Sequence, residues 1–391
     1  MNFKHSILAA TVGAAIVSAA SIDVAAKEKK ACDRQPMSTY LWHGSLKDST
    51  FIDRINFKNF DIVYLLDNQG WKSQEDFDAT IDSIVATDGA TVRLSKPDLF
   101  KQTIAAAHKE GTLAMMTTGN DMIFGALDDA KTKKMAKAIV KTIEEMSFDG
   151  VDVDWEIGIH NRMDRHANLM TELRASLDSL SEVTGKNYLL STALSIKAQY
   201  PDSVRGQLNN AVDYINLMAY DMGGCLWRNY ASHNTPMQDI KNSIDKLWYG
   251  IPRDKLHLGL ASYGFIYKGI MPNEKTPEGK NLESYGRFVN YIDMLPHTFG
   301  YRAWREEYDP IEQVNYFIDD ANRSFITMET PETVERKFEY AAEAGLGGTF
   351  WWEYAKDIVP DNNGGYKWKH ILIPDHKQVG LMKQLSKKKR K

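Results

Sequence analysis

The sequence predicts an α/β fold, a closed (β/α)8 TIM barrel with an elaborated loop or small insertion between its seventh and eighth strands. Three observations carry this. Short apolar runs alternate with amphipathic stretches from about residue 38 onward, the pattern of βα units and a parallel sheet. Eight such runs occur, the number that closes a barrel of this kind. The interval after the seventh run, residues 265–325, is longer than a plain βα connection and rich in aromatics, Gly and Pro. An open doubly wound sheet is the alternative that the alternation also permits.

The N-terminus comes first. Lys4 and His5 precede an apolar, small-residue run from Ile7 to Ala20, with small residues for cleavage at Ala20 and Ala26. This resembles a secretory signal peptide over residues 1–26, so a secreted or periplasmic protein is expected. The run is too short and interrupted to favour a membrane span. A lipid anchor at Cys32 is the weaker reading, because Lys29, Lys30 and Ala31 offer no apolar residue before it. Whether Cys32 and Cys225, the two cysteines, pair is left open.

The eight runs are Ser38–His43, Phe60–Leu66, Leu113–Thr118, Gly150–Ile157, Tyr188–Leu194, Tyr214–Tyr220, Leu256–Tyr263 and Gly347–Trp352. Helical stretches with start and stop signals lie between them. Pro97 to Lys109 carries Leu99, Phe100, Ile104 and Ala107 at helical spacing and stops at Gly111. Leu169, Leu173, Leu177 and Leu180 share one face before Gly185. Thr235-Pro236 and Thr330-Pro331 each read as an N-cap followed by proline at the first helical position. Residues 27–380 are taken as the barrel and residues 381–391, ending in Lys387–Lys391, as a basic solvated tail. Tyr267, Tyr285, Phe288, Tyr291, Phe299, Tyr301, Trp304 and Tyr308 fall in the long interval. Packing onto the barrel explains most of them better than sugar stacking does.

Composition excludes several functions. Of 391 residues 43% are hydrophobic and 26% charged, which describes a soluble globular chain with material for a sizeable core. A net charge of −4 leaves no footprint for nucleic acid. No Cys/His cluster has metal-ligand spacing and no glycine-rich phosphate loop occurs, so no metal or cofactor is expected. A monomer is expected.

Residues 148–156, FDGVDVDWE, carry the chemistry. Asp152, Asp154 and Glu156 are spaced by two, so on a strand all three carboxyls project from one face, with Val151, Val153 and Trp155 on the other. Neighbouring carboxylates repel and resist burial unless protons are shared, which points to shifted pKa values in use. Barrel chemistry sits at C-terminal strand ends, where this trio lies. The sixth run ends in Met218-Ala219-Tyr220-Asp221 and the eighth in Trp351-Trp352. A phenol and an indole face beside carboxyls suit a carbohydrate, whose rings stack and whose hydroxyls take hydrogen bonds.

FDGVDVDWE resembles the Asp-Gly-x-Asp-x-Asp-x-Glu signature of glycoside hydrolase family 18, the chitinase family. YINLMAYD at 214–221, LGLASYG at 258–264 and GLGGTFWWEYAKD at 345–357 resemble its sixth, seventh and eighth strands. The resemblance covers roughly residues 38–375 and implies Glu156 as general acid. It implies Asp154 as partner of the substrate's 2-acetamido group, Asp152 as the residue that holds Asp154 and shares its proton, and Tyr220 as donor to the acetamido carbonyl. It further implies Asp221 and Trp352 at the cleavage subsite, with Met218 and Tyr263 as further contacts, and no cofactor. Asp149 is expected to shape the strand. The implied activity is endo-acting hydrolysis of β-1,4-linked N-acetylglucosamine in chitin with retained configuration, the acetamido oxygen serving as nucleophile through an oxazoline-type intermediate. The spacing agrees with this. Two residues of strand separate Asp154 from Glu156 by about 6.6 Å on one side of the sugar, so neither is placed to attack the opposite face.

Three departures stand out: Thr117-Thr118-Gly119-Asn120 replaces a usual Ser-x-Gly-Gly, Phe265 replaces a usual Arg, and Met328-Glu329-Thr330 replaces a usual Tyr-Asp-Asp. They are expected around the subsites. An endo-β-N-acetylglucosaminidase acting on the chitobiose core of N-glycans is the rival within the family. A non-catalytic lectin is the rival of another class, and the presence of Glu156 weighs against it.

Overall fold

The structure is a computed structural model that describes residues 35–67, 74–119, 128–156, 158–223, 229–300, 303–361 and 365–385. The leader residues 1–26, Cys32, Asn120, Ile157, Cys225, Tyr301 and the tail from Ser386 onward lie outside the described residues. The described residues fall in one compact unit.

In chain order the elements are β1 (Met37–Trp42), α1 (Ser49–Asp53), β2 (Ile62–Asp67), α2 (Gln74–Ala86), α3 (Pro97–Lys109), β3 (Leu113–Thr118), α4 (Asp129–Met146), β4 (Gly150–Asp154), α5 (Met163–Thr184), β5 (Leu189–Ser195), α6 (Asp202–Ala211), β6 (Tyr214–Met218), α7 (Met237–Leu247) and β7 (Leu256–Ala261). Then come β8 (Tyr263–Lys268), β9 (Gly286–Asn290), α8 (Tyr291–Phe299), β10 (Arg305–Asp309), β11 (Val314–Asp319), β12 (Ser324–Thr327), α9 (Pro331–Glu343), β13 (Gly348–Trp352), β14 (Ile358–Val359), β15 (Lys369–His370) and α10 (Leu381–Leu385). Eight parallel strands close a barrel in the order β1-β13-β7-β6-β5-β4-β3-β2. Each expected run supplies one of them.

Local chemistry explains the helix ends. Asp48 accepts the Phe51 N–H at 2.9 Å and Asp128 accepts the Lys131 N–H at 2.8 Å, each satisfying an orphan donor of a first turn. The stop at Gly185 has φ +71°, the left-handed region that glycine enters without penalty. Thr330 caps α9 in a reciprocal pair with Thr333, and Pro331 opens the helix. At α7 the expectation is off by one residue. Pro236 is the cap, α7 starts at Met237, and the Thr235 hydroxyl accepts from Lys337 instead of capping.

Two strand ends also differ. β4 stops at Asp154, where its last ladder partner is Ala193, so Trp155 and Glu156 continue beyond the sheet. The seventh run breaks at Ser262, after which Tyr263 starts a strand of another sheet. Residues 263–327 are a folded insertion, a five-stranded antiparallel sheet in the order β10-β11-β12-β8-β9 carrying α8. Phe265, Tyr267, Leu282 and Phe325 are buried within it, with Tyr267 stacked on Phe325 at 4.6 Å.

Period-two alternation sorts the barrel residues. Val151, Val153 and Trp155 enter the layer between strands and helices with Leu169, Leu173 and Leu177, while Tyr40, Tyr64, Met115, Ala193 and Phe350 fill the interior. Each leucine so buried contributes about 1.5–3 kcal/mol. The C-terminal segment covers the opposite end. Asp61 accepts from the Met37 and Val379 N–H groups at 3.1 and 2.8 Å and contacts His376 Nε2 at 2.8 Å, and Leu381 packs with the interior cluster. No described helix is long and apolar enough to cross a membrane.

Candidate active site

The three carboxyls are graded in depth. Asp152 is fully buried inside the barrel, Asp154 is half-buried, and Glu156 is exposed beyond the strand end. The grading follows from period two along a strand that runs outward to the mouth.

Strand register builds the floor. Thr117 on β3 and Ser191 on β5 are the direct neighbours of Asp152, so three inward side chains meet at one level. Ser191 Oγ donates to Asp152 Oδ1 at 2.6 Å, and Thr117 Oγ1 donates to Oδ2 at 3.2 Å. Tyr40 reaches in from β1 and its hydroxyl donates to Oδ2 at 2.8 Å, while Asn216 Nδ2 donates to Oδ1 at 3.4 Å. Burial pushes the Asp152 pKa up to about 6, and these donors pull against it because they favour the carboxylate. Gly119 has a steric reason. A Cβ there would meet Leu66 Cδ1 at 3.2 Å and the Asp154 backbone oxygen at 3.4 Å.

A second group comes from the ends of β6, β7 and β13. Tyr220 is buried, and burial followed by the charges of Asp154 and Glu156 raises its pKa well above the usual phenol value, so it remains an O–H donor. Asp221 adopts φ +57°, a left-handed conformation that Asp tolerates, with its N–H donating to Asn234 Oδ1 at 2.8 Å. Tyr263 donates to Asp221 Oδ1 at 2.6 Å, while burial holds the Asp221 pKa up at about 6. Tyr263 packs edge-on to Tyr220 at 5.9 Å, and Trp352 lies 5.6 Å from Tyr40. Met218 packs at the margin of the interior cluster. Among the described residues no group of three or more His, Cys, Asp or Glu is arranged to hold a metal ion.

The structure thus gathers Asp152, Asp154, Glu156, Tyr220, Asp221, Tyr263, Met218 and Trp352 at or just below the mouth. Asp149 stays at the other end of β4, where its Oδ2 accepts the Ala114 N–H at 2.8 Å and contacts His108 Nε2 at 2.7 Å, the strand-shaping place expected of it. The Thr117 hydroxyl takes part in the floor network. The other two departures lie elsewhere than expected. Phe265 is in the core of the insertion against Phe288, and Glu329 is buried in an ion pair with Lys337 at 2.6 Å, because Phe265 lies on β8 and Glu329 follows β12, strands of the insertion sheet and not of the barrel. Sequence reasoning missed Tyr40, Ser191, Asn216 and Lys356. Inward phase along strands β1, β5 and β6 was the available signal for the first three.

A closed barrel with a graded carboxyl trio and aromatic faces at its mouth is the architecture of a glycoside hydrolase. The family model for glycosyl hydrolases family 18 matches residues 28–357, and the chain belongs to that family. Chitinase A1 of Niallia circulans is 27% identical over 269 residues, covering 58% of this chain and 37% of the relative. Endochitinase 1 of Metarhizium robertsii is 29% identical over 286 residues, covering 66% of each. The chain thus spans less than two thirds of the length of these relatives. A class V chitinase from Nicotiana tobaccum shares the fold at a TM-score of 0.69 and 18% identity, over 90% of this chain and 100% of that one.

Proposed function

We propose that this protein is an exported, retaining hydrolase that cleaves β-1,4-linked N-acetylglucosamine in chitin or chitooligosaccharides by substrate-assisted catalysis. The graded trio carries the reading. Two carboxyls from one strand approach a sugar from one side, and the deepest is wrapped in hydroxyl and amide donors. The curated relatives named above, which bear the names of chitinases, favour chitin as substrate. Lys4, His5 and the apolar run Ile7–Ala20 support export.

In the reading, Glu156 gives its proton to the glycosidic oxygen as the bond from that oxygen to the anomeric carbon breaks. The acetamido carbonyl oxygen forms the new bond to the anomeric carbon, and the positive charge that develops on the acetamido nitrogen faces Asp154. The Tyr220 hydroxyl donates to the acetamido oxygen and orients it. Asp152 and Asp154 share one proton, so that Asp154 is free to carry charge when the cation forms. Water deprotonated by the Glu156 carboxylate then opens the ring at the anomeric carbon, restoring the acid and retaining configuration.

The test is incubation with chitohexaose and with a high-mannose glycopeptide, products being identified by mass spectrometry. Shorter chitooligosaccharides are expected. Cleavage of the glycopeptide alone would replace chitin with the N-glycan core, and binding without cleavage of either would leave a lectin.

A further inference from the structure

Lys356 is a cation at the edge of the mouth that the proposed chemistry does not use. It follows β13 and the Trp352–Glu353 peptide, and its ammonium sits 4.6 Å from the centre of the Tyr263 ring and 5.5 Å from that of Trp352, within cation–π range of both. Two carboxylates flank it. Glu353 is committed to the end of β1, accepting from the Trp42 N–H and from Ser45 Oγ, both at 3.1 Å. Asp221 is committed to Tyr263 at 2.6 Å. With both acids held by other donors, the Lys356 ammonium forms no ion pair or hydrogen bond with a described residue, although burial opposes its charge.

The ammonium lines a cavity of about 470 Å³ with Trp42, Ser45, Asn290, Trp352 and Glu353. That volume lies within the range of small-molecule sites, about 300–1,000 Å³. The cavity opens between the ends of β1 and β13, and β13 stands four strands from β4 around the closed barrel, directly across the mouth from the strand that leads to Glu156. A sugar over Trp352 with its leaving oxygen at Glu156 therefore continues into this cavity on its non-reducing side.

We propose that Lys356 is a specificity-determining residue: it offsets the charge of Glu353 and Asp221 so that the cavity takes a neutral N-acetylglucosamine and disfavours a cationic glucosamine at the sugar next to the cleavage point. Without it the cavity lining keeps the Glu353 carboxylate, with Asp221 behind it, and has no cation. An ammonium-bearing sugar would then be drawn in, since opposite charges a few ångströms apart in a partly dry cleft attract strongly. The inference rests on the chitinase reading of the same site.

The test digests partially acetylated chitosan with wild type, Lys356→Met and Lys356→Arg, and sequences the products by mass spectrometry. The readout is the ratio of glucosamine to N-acetylglucosamine at the second position from the new reducing end, which a general loss of rate does not move. Lys356→Met keeps the stem and should raise that ratio about fivefold, and Lys356→Arg should hold it near wild type. A ratio unchanged in Lys356→Met overturns the inference. Wild type that fails to cut chitohexaose overturns the chitinase reading instead. If Lys356→Met releases no product, calorimetry in a Glu156→Gln background decides: the added Lys356→Met change must strengthen binding of glucosamine hexamer relative to chitohexaose, and equal changes for both overturn the inference.

Discussion

The Tyr40 hydroxyl donates to Asp152 Oδ2 at 2.8 Å, tying the first strand of the barrel to the fourth across its interior. Asn216 Nδ2 donates in turn to the Tyr40 oxygen at 2.9 Å, so β6 joins the same chain of hydrogen bonds. A buried carboxylate held this way is tuned by each donor, because a donor favours the charged form and its loss favours the proton.

Tyr40→Phe therefore moves the Asp152 pKa upward from about 6. If Asp152 and Asp154 share the proton that turnover needs, the alkaline limb of kcat against pH shifts to higher pH, and Ser191→Ala shifts it in the same direction. Stability falls by about 1–2 kcal/mol in each variant, the usual cost of one buried hydrogen bond. Profiles of kcat from pH 4 to 9 check this, and an unmoved limb in both variants would dissociate Asp152 from the proton.

Glu156→Gln should lower kcat on chitohexaose by about 10²–10⁴-fold, the range of general acid catalysis. Glu156 is exposed at the end of the trio, so folding should be unaffected. Steady-state kinetics with a circular dichroism melt separate the two effects. Near wild-type turnover by a folded variant would remove Glu156 from the role.

Lys337 and Glu329 form an ion pair buried at both ends beneath the start of α9, with Thr333 Oγ1 also donating to Glu329. Lys337→Met strands the carboxylate in the core and should cost about 3–5 kcal/mol. The double change Lys337→Met with Glu329→Gln should recover most of that, since no charge is left behind. Chemical denaturation of the two variants measures the difference. Equal losses would show that the charge itself is not what matters.

Acid should destabilise the fold partly through neutral buried histidines. Burial lowers the pKa of His166 and His257 from 6.5 to about 3 and that of His233 to about 4. The unfolded chain therefore binds the extra protons first as pH falls below about 6.5. Stability from keeping each ring neutral is complete above that value and is lost as pH drops toward the folded value, at about 1.4 kcal/mol per pH unit per ring. Asp152 and Asp221, raised to about 6, act in the opposite sense, taking protons first in the folded state. His166→Gln should accordingly flatten the decline in unfolding free energy between pH 6 and 4 relative to wild type. A parallel decline would show that His166 is protonated in the fold.

The eight strands, most helix ends and the acidic trio were legible because each is a local signal. A period of two, a cap and a stop glycine are written within a few residues of one another. Asp152 and Glu156 could be named from nine residues of sequence. The partners that tune Asp152 could not. Tyr40, Ser191 and Asn216 stand 112, 39 and 64 positions from it, and only parallel register and barrel closure bring them to one level. The same holds for Lys356, whose place between Glu353 and Asp221 depends on how three strand ends meet at the mouth. Sequence determined which side of each strand faces inward. Tertiary structure decided which inward side chains share a layer, because register across a closed sheet relates residues that the chain itself keeps far apart.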